Sequence, residues 1–269
     1  MLIRTFYLNE RKTVCLRAYL LDRIGGISFT DARPAVLICP GGGYTNVSDR
    51  EAEPIAMQFL ARGFHAFVLT YSVHKRHPQP LINAAWALAN IRTRAKEYRI
   101  NPEQIAVVGF SAGGHLAGHL ASTWQDPMLS RHVGMPGTMF RPNAAVLCYP
   151  VISAVTKPHE GSFQELLGPS PSREKQLEVS LEYRVTSSMP PTFLWHTATD
   201  DCVPAENSLV LARACVAHKV PCELHLYDEG PHGMSDCSRA TAYTPAQNNP
   251  HCAEWLPLAM TFLEKYMRG

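Results

Sequence analysis

The chain is 269 residues long, 46% hydrophobic and 18% charged, with a formal net charge of +2. A chain of that length, folded as one unit, buries about 75% of its unfolded surface, so its core needs neither disulfides nor a metal. Lys and Arg are interspersed with Asp and Glu, which excludes the one-sided basic stripe of a nucleic-acid binder, and no apolar run approaches membrane-spanning length.

The opening residues Met1-Leu2-Ile3-Arg4-Thr5-Phe6-Tyr7 lack the apolar core and small-residue cleavage site of a secretory signal, which predicts a soluble, cytoplasmic protein. Ile3–Tyr7 and Val14–Leu20 read as antiparallel edge strands. Short apolar, β-branched runs then alternate with segments of helical period. The strands fall at Ala35–Cys39, Ala66–Tyr71, Ile105–Val108, Ala144–Tyr149, Thr192–His196 and Glu223–Tyr227. The helices fall at Glu51–Arg62, Leu81–Tyr98, Gly114–Ser122, Ala205–His218 and Ala253–Met267. That alternation predicts an α/β fold in a single domain spanning 1–269, with a mostly parallel central sheet flanked by helices on both faces.

Two stretches break the pattern. Thr123 to Arg141, rich in Met, Pro and Gly, is expected to be an irregular surface excursion. Residues 155–191 follow the sixth strand with Gly168-Pro169-Ser170-Pro171 and a short charged helix, and are expected to form a small lid insertion beside the crevice at the strands' carboxyl ends. The eight cysteines form no Cys-x-x-Cys pair and sit mostly in apolar patterns, as buried thiols in a reducing compartment do.

The chemistry centres on Gly109-Phe110-Ser111-Ala112-Gly113, directly after Ile105-Ala106-Val107-Val108. A sharp strand-to-helix turn there holds the serine in a strained conformation, with glycines where side chains would collide with the neighbouring strand and helix. The Ala112 N–H and the helix start then face whatever Ser111 attacks, a ready donor for an oxyanion. A serine hydroxyl needs a base, itself oriented by a buried acid, and in this setting the chain order is Ser, acid, His. His232, in Gly230-Pro231-His232-Gly233 after the last candidate strand, is the base. The acid belongs on the loop after Thr192–His196, where Asp200 and Asp201 compete. His115 on the following helix is expected to pack structurally. His74 and His77 crowd a loop with no acid cluster, which argues against a metal site. Tyr44 and Phe110 are candidate substrate-binding residues.

Pro40-Gly41-Gly42-Gly43-Tyr44, Gly109 through Ala117, Asp200 through Pro204 and Gly230 through Gly233 together resemble the esterase/lipase group of the α/β-hydrolase superfamily, close to bacterial acetyl-esterase and feruloyl-esterase-like (BD-FAE type) proteins. The resemblance runs over nearly the whole chain. It implies that the acid is Asp200, four residues before the Pro of an Asp-x-x-Val-Pro segment, leaving Asp201 a loop or capping role. It also implies that Gly42 and Gly43 join Ala112 as oxyanion-hole donors, in a loop similar to the His-Gly-Gly-Gly loop of many esterases but with Pro40 in place of the His. The expectation is a serine carboxylesterase acting on short-chain, chiefly acetyl, esters of small molecules, including carbohydrates, without cofactor or metal. No nucleic-acid or membrane partner is expected, and a homo-oligomer stays open. Two other readings also stay open: an amide hydrolase of the prolyl-oligopeptidase or arylformamidase type, and a catalytically silent binding protein on the same fold.

Overall fold

In the computed structural model of the chain, residues 1–267 are described, so the last two residues of the expected domain lie outside them. The chain runs through β1 (Leu2–Tyr7), β2 (Cys15–Leu20), β3 (Arg33–Cys39), α1 (Glu53–Leu60), β4 (His65–Thr70), α2 (Gln79–Thr93), α3 (Ala95–Tyr98), β5 (Ile100–Phe110), α4 (Ala112–Thr123), α5 (Pro127–Val133), β6 (Ala144–Cys148), α6 (Glu160–Leu167), α7 (Arg173–Val179), β7 (Thr192–Thr197), α8 (Glu206–Ala217), β8 (Cys222–Tyr227) and α9 (Trp255–Tyr266).

The strands hydrogen-bond in the order β1-β2-β4-β3-β5-β6-β7-β8. The β1–β2 and β2–β4 pairs are antiparallel, and every later pair is parallel. The central strands have no polar face because both faces are covered. In β3, Ala35, Leu37 and Cys39 join one core with Leu88 of α2 and Leu120 of α4, while Val36 and Ile38 join another with Phe59 of α1 and Leu263 of α9. Each buried Val, Leu or Ile side chain here contributes roughly 1.5–3 kcal/mol. The edge strand β1, by contrast, is largely exposed.

This order fixes where chemistry can occur. β4 lies on one side of β3 and β5 on the other, so the direction of winding reverses between β3 and β5, and a crevice opens at their carboxyl ends. The Pro40–Gly43 loop leaves β3 there and Ser111 leaves β5 there. Close packing at that point demands glycine. A Cβ on Gly113 would lie 2.1 Å from the Cys39 carbonyl oxygen and 2.3 Å from that of Pro40, both rigid backbone. Gly113→Ala is therefore expected to destabilise by about 3 kcal/mol, read as a melting midpoint lower by roughly 5 °C or more. An unchanged midpoint would mean that α4 can move away from β3 at no cost.

The departures from expectation have local causes. Within Thr123–Arg141 the chain forms α5, started by Asp126, whose carboxylate accepts from Met128 N at 2.8 Å, with Pro127 in the first turn and Gly134 closing it at φ 73°. Residues 155–191 hold two helices, α6 and α7, each capped by a side chain, His159 and Ser172. The expected Leu81–Tyr98 helix divides at Arg94 into α2 and α3. Among the described residues, no helix is long and apolar enough to cross a membrane.

Candidate active site

Ser111 sits between β5 and α4 with φ 53° and ψ −121°, a conformation that costs a non-glycine residue about 1–3 kcal/mol. Three backbone bonds hold it there. Its N–H donates to the Cys148 carbonyl at 3.0 Å, and its own carbonyl accepts from His115 N and Val151 N, each at 3.1 Å. Gly109 is required on the strand side, since a Cβ there would lie 2.3 Å from the Gly113 carbonyl oxygen.

From this turn the Ser111 hydroxyl donates to His232 Nε2 at 2.8 Å, and His232 Nδ1 donates to Asp200 Oδ2 at 2.7 Å. An ionised carboxylate can only accept, so Nδ1 carries the proton and Nε2 presents the lone pair to serine. The structure thus brings together Ser111 after β5, Asp200 after β7 and His232 after β8. The Asp200 side chain is wholly buried, with Oδ1 accepting from Cys202 N at 2.9 Å and Val203 N at 2.8 Å. Burial alone would push its pKa up. The hydrogen bonds from His196 and His232, the charge of His232 and the Val203 N–H outweigh it and hold the carboxyl well below the usual range. Asp201 is exposed and accepts from the His232 backbone N–H at 3.4 Å, its one contact with the site among the described residues.

His196, which the sequence reading passed over, is fully buried with Nε2 3.2 Å from Asp200 Oδ2 and 2.9 Å from the Val203 carbonyl oxygen. Its Nδ1 lies 2.8 Å from Ser208 Oγ. The imidazole clamps the acid from the end of β7. A four-residue spacing between His and Asp across a strand end is no motif, so only the fold reveals it.

The Pro40–Gly43 loop follows the same logic. Gly42 and Gly43 adopt φ 124° and 63°, and among the described residues neither N–H has an acceptor. Ala112 begins α4, where first-turn N–H groups have no helical partner. With proline where related loops carry histidine, the anchor comes from elsewhere. The buried Glu51 accepts from Gly41 N at 2.7 Å through Oε2 and from the Tyr149 hydroxyl at 2.7 Å through Oε1. The Tyr149 oxygen accepts from Ser235 N at 2.8 Å, and Tyr71 donates to the Pro40 carbonyl at 2.8 Å. One carboxylate therefore ties the glycine loop to the segment that follows His232. Glu51→Gln is expected to lower kcat about tenfold with little change in KM, because an amide N–H2 must then face a donor, Gly41 N–H or Tyr149 O–H. Unchanged kcat would show that the loop keeps its shape without the carboxylate.

These groups border a cleft of about 370 Å³ whose lining includes Gly42, Gly43, Arg50, Ser111, His159, His232 and Tyr243. Tyr243 is 80% exposed at its mouth, with the Arg50 guanidinium 4.0 Å from the ring centroid. Tyr44 and Phe110, expected to bind substrate, do not line it. Tyr44 is buried beneath the loop, its hydroxyl 2.7 Å from His115 Nδ1. Phe110 is buried under the turn against Tyr149 and Trp255. His115 is structural: its Nε2 lies 2.7 Å from the Val179 carbonyl oxygen and its Nδ1 faces Tyr44, while burial pulls its pKa down to about 4. His74 pairs with Glu165 at 3.2 Å and His77 stacks on His119, and among the described residues no group of His, Cys, Asp and Glu is arranged to hold a metal ion.

Comparison with known proteins agrees with this architecture. The chain is 36% identical over 208 residues to endo-1,4-beta-xylanase B of Butyrivibrio fibrisolvens, covering 76% of this chain and 33% of that protein. It is 30% identical over 207 residues to an acetylxylan esterase of Xylanibacter ruminicola, covering 74% of this chain and 41% of that one. It thus spans about a third to two fifths of the length of these curated relatives. Solved structures match nearly end to end. The acetyl ester-xyloside bifunctional hydrolase from Caldicellulosiruptor lactoaceticus is 35% identical with a TM-score of 0.83, over 98% of this chain and 95% of that one. The carboxylesterase Cest-2923 from Lactobacillus plantarum is 29% identical with a TM-score of 0.87, over 98% of both. Residues 28–215 match the BD-FAE family, and the chain, an α/β-hydrolase in fold, belongs to it.

Proposed function

We propose that the chain is a serine carboxylesterase that removes short acyl groups, chiefly acetyl, from hydroxylated small molecules such as carbohydrates. The observation that carries this is the unbroken line from Ser111 Oγ through His232 to Asp200, opening beside the unpaired N–H groups of Gly42 and Gly43. His232 Nε2 takes the hydroxyl proton as Ser111 Oγ bonds to the ester carbonyl carbon. The carbonyl oxygen becomes the oxyanion, held by the N–H groups of Gly42, Gly43 and Ala112. As the carbon–oxygen bond to the alcohol breaks, His232 returns its proton to the leaving oxygen. Water deprotonated by the same imidazole then attacks the acyl-serine, and as the bond to Ser111 Oγ breaks His232 returns that proton to Oγ and the acid leaves, while the Asp200 anion stabilises the charged ring at both stages.

Acetyl and sugar preferences draw support from relatives named an acetylxylan esterase and an acetyl ester-xyloside hydrolase. A cytoplasmic location and a small-molecule partner belong to the same proposal. A panel crossing acyl length with alcohol type, together with an aminoacyl amide and an arylformamide, tests it. Acetyl esters are expected to give the highest kcat/KM and the amides negligible turnover. Faster turnover of either amide would replace the esterase reading with amide hydrolysis.

A further inference from the structure

His159 stands in the same cleft as Ser111 and His232, with part of its hydrogen-bonding capacity unused. It precedes α6 and caps it: Ser162 N lies 3.2 Å, and Ser162 Oγ 2.8 Å, from His159 Nδ1. A backbone N–H can only donate, so Nδ1 is an acceptor and the proton of the neutral ring sits on Nε2. Among the described residues, that Nε2–H has no acceptor. Burial first, and then the neighbouring His232, lower the proton affinity of the ring against the opposing pull of Asp200 and Glu160, so it stays neutral at neutral pH. The result is a donor of fixed tautomer. It is not a second base, because the lone pair at Nδ1 is already engaged by the cap.

We propose that His159 Nε2–H binds an oxygen of the alcohol moiety other than the ester oxygen, and so selects hydroxylated alcohols over plain ones. This rests on the esterase reading and adds to it the residue that sets alcohol preference. Gly42, Gly43 and Ala112 take the carbonyl oxygen, and His232 must reach the leaving oxygen to protonate it, so the alcohol departs on the His232 side. His159 lines the same cleft as Ser111 and His232, with its Nε2–H free to meet an alcohol held there. A site built to hydrogen-bond a substrate hydroxyl discriminates against an analogue lacking it, because its polar group, here the half-buried His159 Nε2–H, is left without that partner.

The test compares a monosaccharide acetate carrying free hydroxyls beside the ester with cyclohexyl acetate, using wild type, His159→Phe and His159→Gln. His159→Phe is expected to lower kcat/KM for the sugar acetate about tenfold or more, mainly through KM, and to change cyclohexyl acetate by less than about threefold. His159→Gln, whose amide N–H reaches a similar distance, is expected to recover part of the sugar acetate loss. Equal losses on both acetates would overturn the proposal, because a cap that unravels or a disturbed Ser111 does not distinguish alcohols. An unaffected sugar acetate would overturn it as well. A wild-type protein that turns over neither acetate would overturn the esterase reading itself, and this outcome is recognisable because the unmutated chain fails.

Discussion

Ser111→Ala is expected to lower kcat/KM for an acetyl ester by about 10⁴-fold or more, while the melting midpoint stays within about 2 °C of wild type. The two halves of that expectation have separate causes. The turn at residue 111 is held by backbone bonds to Cys148, His115 and Val151, none of which involves the hydroxyl. Among the described residues, the hydroxyl itself bonds only to His232. Removing Oγ leaves the Gly42, Gly43 and Ala112 N–H groups and the cleft in place, so a small residual rate through direct attack by water is expected to remain. Retention of more than about 1% of wild-type activity would mean that the nucleophile lies elsewhere.

Asp200→Asn is expected to cost about 10⁴-fold in kcat, and Asp201→Asn less than about threefold. Among the described residues, the neighbours of the Asp200 carboxylate donate to it: Cys202 N and Val203 N at Oδ1, His232 and His196 at Oδ2. An asparagine keeps its oxygen towards the two backbone N–H groups and turns its amide N–H2 towards His232 Nδ1. The ring proton must then move to Nε2, where the lone pair that receives the serine proton is lost. The anion that stabilises the charged imidazole is lost with it. Asp201 offers only one long contact to backbone and lies in solvent. Equal losses at the two positions would remove the assignment of Asp200 as the acid. Because the folded-state pKa of Asp200 is lowered, its contribution to stability is complete above the unfolded value and is lost as pH falls below that value towards the native one.

The alternation of apolar runs with helical segments was enough to read the layered α/β architecture, because a strand buried on both faces cannot hide its composition. The serine turn was legible for a similar reason: Gly109 and Gly113 meet backbone oxygens at distances that no side chain tolerates. Asp200 separated from Asp201 only through likeness to other proteins, since both stand on the same loop and it is the fold that buries one and brings it to the His232 ring. Glu51 and His196 escaped because each acts through a contact far along the chain or across a strand end, with no local pattern to mark it. Phe110 was misplaced although the information was present. It follows Ala106 and Val108 at a spacing of two, and all three point into the core shared with Trp255. The α5 helix was masked by composition, although Asp126, Pro127 and Gly134 stand where a helix start and stop require them.

Labelling the native protein with a fluorophosphonate, followed by peptide mass mapping, reads the nucleophile without any assumption about substrate. A single adduct on Ser111, formed rapidly in wild type and slowed at least about 10³-fold in His232→Ala, is the expected result. A folded protein that takes no adduct, or takes it on another residue, would contradict a catalytic line running from Ser111 through His232 to Asp200.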